Sequence, residues 1–178
     1  MRNRNTVELC ICALFAALTA VLSQIAIPIG PVPINLATFS VFLSGALLGA
    51  KSGAVSQAVY VLLGAVGLPV FSSFRGGVGV LLGPTGGYIA GYILAAWLVG
   101  WIAKRYGNRI YILGLAMFAG FLAYMTAGTG WYMFSTQTGF TEAFMICVFP
   151  FLPGDLLKMV LAAVLSYRLR PVLTIRNR

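Results

Sequence analysis

An aspartate and a lysine stand three residues apart, Asp155 and Lys158, inside the apolar stretch "FPFLPGDLLK" that runs from Phe149 to Lys158. On a helix, positions i and i+3 project from one face, so the pair presents a hydrogen-bond acceptor beside a donor. Such a couple suits a neutral ligand that carries both N–H and C=O, a urea or an amide. Near the middle of a membrane helix an ionisable side chain costs about 2.5–3.5 kcal/mol on insertion scales. The pair is therefore either a self-contained ion pair that locks helix packing or the polar lining of a pocket. Pro150, Pro153 and Gly154 precede it directly and interrupt the helix ladder, which opens a recess toward the N-terminal end of this segment.

Other polar side chains in apolar surroundings join the candidate set. Asn35 and Gln57 are neutral amides in or at the edge of apolar segments, and each either bridges helices by hydrogen bonding or points into a shared pocket. The stretch "GGVGVLLGPTGGY", Gly76 to Tyr88, has no G-x-x-x-x-G-K-[ST] pattern and no lysine, so it is not a nucleotide loop. It either supplies flexibility alone or lets backbone approach a ligand, with Thr85 and Tyr88 facing the pocket. Arg75 lies just before it, positioned either for solvent or for a carboxylate at the pocket mouth.

Several chemistries are excluded. The chain has no histidine, and Cys10 and Cys12, two apart on a helix, face different directions, so no metal site is expected. These two and Cys147 read as small packing residues. No acidic cluster and no nucleophile–base set points to an enzyme.

The elements that must position these residues follow from composition. Hydrophobic residues make up 60% of the 178 and charged residues 8%, against about 25% charged in ordinary soluble domains. Mean hydropathy is +0.95. The reading is an all-α integral membrane protein, one membrane domain over residues 1–178. About 20 apolar residues span the hydrocarbon core. Six spans emerge, approximately 7–27, 35–50, 52–67, 84–103, 109–134 and 142–167, the second and third short. The N-terminal run resembles a signal peptide without a clear cleavage site and is read as a retained first helix.

The net charge of +9 does not call for nucleic acid, because the basic residues cluster at the ends of apolar segments. With six spans and the N-terminus inside, the cytoplasmic side receives Arg2, Arg4, Lys51, Lys104, Arg105, Arg109, Arg168, Arg170, Arg176 and Arg178, ten of the 12 basic residues. The outer side receives Arg75, and Lys158 lies within a span. Both termini are thus expected in the cytoplasm. Trp97 and Trp101 are expected at the inner interface, Trp131 and Tyr132 at the outer one. Of the outer loops, "IPIGPVPIN" reads as a stiff, non-helical hairpin. The apolar, glycine-rich segment from residue 68 to 84 reads as a lid over a pocket. Small residues recur at spacing four on the first helix: Ala13 with Ala17, and Ala16 with Ala20. Such ridges allow close contact within the protein or with a separate membrane subunit.

The stretches "GPVPINLATFSVFLSGALLGAKSGAVSQAVYVLLGAVGLPVF", "GGVGVLLGPTGGYIAGYILA" and "FLPGDLLK" together resemble the BioY family, the biotin-capturing S components of energy-coupling factor (ECF) transporters. The resemblance runs from about Ala13 to Tyr167. It implies the six-helix S-component fold, no enzymatic activity, and biotin as the ligand. It also implies partners: a membrane coupling protein (T component) and ATPase subunits in a prokaryotic cell membrane. By the resemblance Asp155 and Lys158 belong to the biotin site, at the ureido ring, with Arg75, Asn35, Gln57, Thr85 and Tyr88 as further pocket candidates. Ala13 and Ala17 match the small-residue face that S components present to the coupling subunit. The competing reading of the residues is a self-sufficient secondary transporter with Asp155 as a coupling carboxylate, although no internal repeat supports it.

Overall fold

Helix boundaries follow the glycines, prolines and basic pairs of the sequence. The computed structural model describes residues 4–27 and 32–176. Helix α1 (Arg4–Gln24) leads into a two-stranded antiparallel hairpin, β1 (Ala26–Ile27) and β2 (Ile34–Asn35). The tip of this expected hairpin, residues 28–31, lies outside the described residues, as do Arg2 and Arg178. Then come α2 (Ala37–Leu48), α3 (Ala50–Ala65), a short 3-10 turn (Ser72–Phe74) and α4 (Val78–Leu82). Four helices complete the chain: α5 (Gly86–Tyr106), α6 (Ile110–Thr136), α7 (Phe140–Cys147) and α8 (Leu152–Arg176).

Among the described residues, three helical stretches are long and apolar enough to cross a membrane: Thr6–Gln24, Gly86–Tyr106 and Ile110–Thr136. The span expected over 142–167 is not one helix. It breaks between Cys147 and Leu152 into α7 and α8, which meet at 54°. Pro150 and Pro153 explain the break, since neither can donate to the helix ladder. The expected second and third spans are α2 and α3, 12 and 16 residues long. At 1.5 Å per residue they reach only about 18 and 24 Å, short of a hydrocarbon core of about 30 Å. They are joined through Gly49, whose φ of 84° suits a residue without Cβ. The segment expected as a flexible lid is more ordered than that, holding the 3-10 turn and α4.

The core is largely apolar, but the surface is apolar too, unlike that of a water-soluble protein. The outer surface of α8 is apolar, with Leu156, Leu157, Val160 and Leu161 all at least half-exposed. Inside lie Ser40, Ser44, Ser56, Gln57, Asp155 and Lys158, all buried. Apolar residues outside and ionisable ones inside are what a lipid solvent selects. Small residues bring the central helices together: a Cβ at Gly45 of α2 would lie 2.4 Å from the Ala96 carbonyl of α5. One at Gly100 of α5 would lie 2.4 Å from the Ala50 nitrogen at the α2–α3 corner. Helix α5 packs most extensively on α6 and also on α2 and α3. Arg170 of α8 donates to the Ala103 carbonyl near the end of α5 at 3.2 Å, a cation at the negative end of that helix.

The aromatic expectations divide. Trp97 and Trp101 are stacked with centroids 6.4 Å apart and nearly half-exposed. Tyr132, expected in an outer belt, is buried instead, because α6 turns that face toward the core. Trp131 donates its indole N–H to the Gly83 carbonyl at 2.9 Å and so ties α6 to the loop before α5.

Candidate functional site

Helix starts and helix ends converge at one pole of the bundle. The N-terminal parts of α2, α5 and α8 meet the C-terminal halves of α3 and α6 there, under β2 and the 71–75 turn. They enclose a cavity of about 540 Å³, counting the space open at its mouth.

Asp155 sits at the centre of its polar wall. Helix α8 starts at Leu152 with Pro153 in the first turn, where a missing N–H is tolerated. Asp155 falls in that same turn, so the positive end of the helix dipole favours its carboxylate. Its Oδ1 accepts from Lys158 Nζ at 2.8 Å and from Thr38 Oγ1 at 3.2 Å, and its Oδ2 accepts from the Tyr124 hydroxyl. Lys158 Nζ also donates to the Asn35 carbonyl at 2.6 Å. Both charges are thus paired and hydrogen-bonded, the condition under which burial is tolerable. An ammonium has three N–H groups. Two are used among the described residues, which leaves one for a ligand.

Asn35 is fixed as carefully. Its Oδ1 accepts from the Ala37 N–H at 3.0 Å, which closes the turn into α2, and its Nδ2 donates to Ser72 Oγ at 2.6 Å. Four tyrosines line the cavity as well. Tyr92 and Tyr124 meet edge to face at 5.9 Å, Tyr88 and Tyr124 at 6.4 Å, and Tyr60 lies 6.5 Å from Tyr92. The Tyr88 hydroxyl shares a 2.9 Å hydrogen bond with Thr129 Oγ1. The site therefore combines a charged donor–acceptor couple with a set of aromatic rings, an arrangement suited to a polar group carried on an apolar body.

Of the residues singled out in the sequence, Asp155, Lys158, Asn35, Arg75, Thr85 and Tyr88 line this cavity. Arg75 is exposed at its edge, with Nε donating to the Ser72 carbonyl at 3.2 Å. Gln57 is a correction: it does not line the cavity. It is fully buried between helices, with Nε2 donating to Ser44 Oγ at 3.0 Å and Thr19 Oγ1 at 3.3 Å. It joins α3 to α2 and α1, the bridging role that a buried amide in an apolar bundle takes up. On α1, Ala13 and Ala17 are exposed while Ala16 is buried, so the two alanine ridges face different ways. Among the described residues no three His, Cys, Asp or Glu side chains gather as a metal site.

Residues 1–175 match the BioY family. The chain belongs to it. A biotin transporter BioY of Thermotoga maritima is 41% identical over 168 residues, covering 88% of this chain and 92% of the relative. A probable biotin transporter BioY of Pyrococcus horikoshii is 39% identical over 163 residues, covering 92% and 96%. In three dimensions the chain is similar to the S-component for biotin from an ECF-type ABC transporter, with TM-score 0.89 and 28% identity. That match covers 96% of this chain and 94% of that one. The chain is therefore a multi-pass membrane protein of the S-component fold, not an enzyme.

Against this BioY fold, sequence reasoning missed Thr38, Tyr60, Tyr92 and Tyr124. The tyrosines carried a signal. Each places a hydroxyl within an apolar helix, and a buried hydroxyl needs a partner. Tyr124 finds one in Asp155.

Proposed function

We propose that this chain is the biotin-capturing subunit of an ECF-type transporter in the plasma membrane of a prokaryote. The observation that carries the reading is the buried Asp155–Lys158 couple in a cavity that Tyr60, Tyr88, Tyr92 and Tyr124 also line. The ureido ring of biotin offers N–H to Asp155 and C=O to the remaining donor of Lys158, and its apolar rings rest on Tyr92 and Tyr124. Arg75 at the mouth supplies a cation for the valerate carboxylate. The charge distribution supports cytoplasmic termini, so the cavity opens outward and captures biotin from outside. The exposed Ala13–Ala17 ridge of α1 suits close contact with a membrane coupling protein. With no nucleotide-binding motif in the chain, ATP hydrolysis falls to partner subunits.

Reconstitution into liposomes separates this reading from proton-coupled transport by Asp155. Liposomes holding this protein alone are expected to bind external biotin without accumulating it, whether or not a pH gradient is imposed. Accumulation is expected only with the coupling protein, the ATPases and internal ATP. Uptake by the protein alone, driven by the pH gradient, would overturn the proposal.

A further inference from the structure

The 71–75 turn forms part of the cavity wall, yet its backbone is not self-supporting. Ser73 and Phe74 both lie in the left-handed region, at φ 62° and 56°. Neither is glycine, and a Cβ makes that region unfavourable. Strain of this kind persists only where the surroundings over-determine it. Two backbone hydrogen bonds between Phe71 and Arg75 close the turn, at 2.9 and 3.2 Å. Further support comes from the last turn of α1.

There Gln24 acts in both directions. Its Oε1 accepts the Phe74 N–H at 2.9 Å, while its Nε2 lies 3.1 Å from the Val70 carbonyl and 3.2 Å from that of Phe71. Ser23, fully buried beside it, donates to the Val70 carbonyl as well. The side chain of Gln24 thus bridges the two ends of the strained segment. From the turn the connections run on into the site: Ser72 Oγ accepts from Asn35, and the Asn35 carbonyl accepts from Lys158. Gln24 itself does not line the cavity.

We infer that Gln24 is a positioning residue for ligand capture, a clasp at the end of α1 that holds the 71–75 turn in its left-handed form and so completes the cavity wall. The inference rests on the reading of the cavity as the biotin site. Without the clasp, Ser73 and Phe74 relax to negative φ, Ser72 leaves Asn35, and Phe71 and Arg75 lose their places.

The test compares wild type with Gln24→Met, nearly the same size without the amide, and with Gln24→Ala. Biotin affinity and amide hydrogen exchange are both measured, the latter in the ligand-free protein. Both variants are expected to bind biotin at least about tenfold more weakly, the scale of one or two lost net hydrogen bonds. Exchange is expected to quicken across residues 69–77 and to stay unchanged in α5 and α6. Adding Ser73→Gly to Gln24→Met removes the Cβ penalty of the left-handed form and is expected to recover part of the affinity. Wild-type affinity in Gln24→Met, or no recovery with Ser73→Gly, would overturn the inference. So would faster exchange spread through all helices, which would make Gln24 a residue of general stability. If wild type binds no biotin, the proposed function fails, while the exchange at 69–77 still decides whether the clasp exists.

Discussion

Lys158→Met will destabilise the protein more than the double substitution Asp155→Asn with Lys158→Met, and neither variant will bind biotin as wild type does. Asp155 is 1% exposed and Lys158 6%. Removing one partner of a buried ion pair leaves the other charge uncompensated, typically at a cost of about 3–5 kcal/mol. The cost in Lys158→Met falls toward the lower end of that range, because Thr38 and Tyr124 still donate to the Asp155 carboxylate. In the double variant no charge remains, and an asparagine at 155 keeps an oxygen for one hydroxyl while its amide N–H₂ donates to the oxygen of the other. Most of the lost stability should therefore return. Binding should not, since the charged acceptor and donor offered to the ureido group are both gone. Thermal unfolding in detergent and biotin binding, measured on the same preparations, separate the two roles. A double variant that regained wild-type affinity would reduce the pair to a packing device.

Gly128→Val is the second substitution expected to act strongly, although Gly128 lies behind the cavity wall. A Cβ there would fall 2.1–2.4 Å from three ring atoms of Tyr88, which is itself 4% exposed. The ring has no free surface to retreat to except the cavity that it lines. Overpacking of this kind costs about 1–3 kcal/mol, and the displaced ring also loses its hydrogen bond to Thr129. Biotin affinity should fall about tenfold or more, with a lower unfolding temperature. Gly130→Val supplies the control on the same helix, because nothing lies within 4 Å of a Cβ at that position. It should leave affinity unchanged. Equal losses at both positions would mean that valine harms α6 generally and that the fit behind Tyr88 is not responsible.

How much of this site could be read before the fold was known depended on how unusual each residue is in its surroundings. Asp155 and Lys158 were legible because ionisable groups in an apolar helix demand an explanation. Arg75 was legible by its place between spans, and Asn35 and Thr85 by their place at the starts of spans. Tyr60, Tyr92 and Tyr124 were not, since tyrosine blends into an apolar run and only its partner reveals its role. Gln57 carried the same surface signal as Asn35, and no pattern along the chain distinguishes an amide that points between helices from one that points into a cavity. The break at Pro150 to Pro153 was visible as a weakness in the last span, but the 54° bend depends on how α7 packs against α6. The 71–75 turn was the least legible element. Its backbone is held in part by Gln24, fifty residues earlier, and no pattern within the turn announces that partner.

Capture of biotin by the Asp155–Lys158 couple is the property on which the proposed function depends. Calorimetric titration of biotin into the purified, detergent-solubilised protein, repeated with Asp155→Asn, tests it most directly. The account predicts tight one-to-one binding to wild type and a loss of about 2 kcal/mol or more in the variant, roughly thirtyfold in affinity, as expected when a charged acceptor is removed from a buried site. Wild type that takes up no biotin, or a variant that binds it unchanged, would contradict the account.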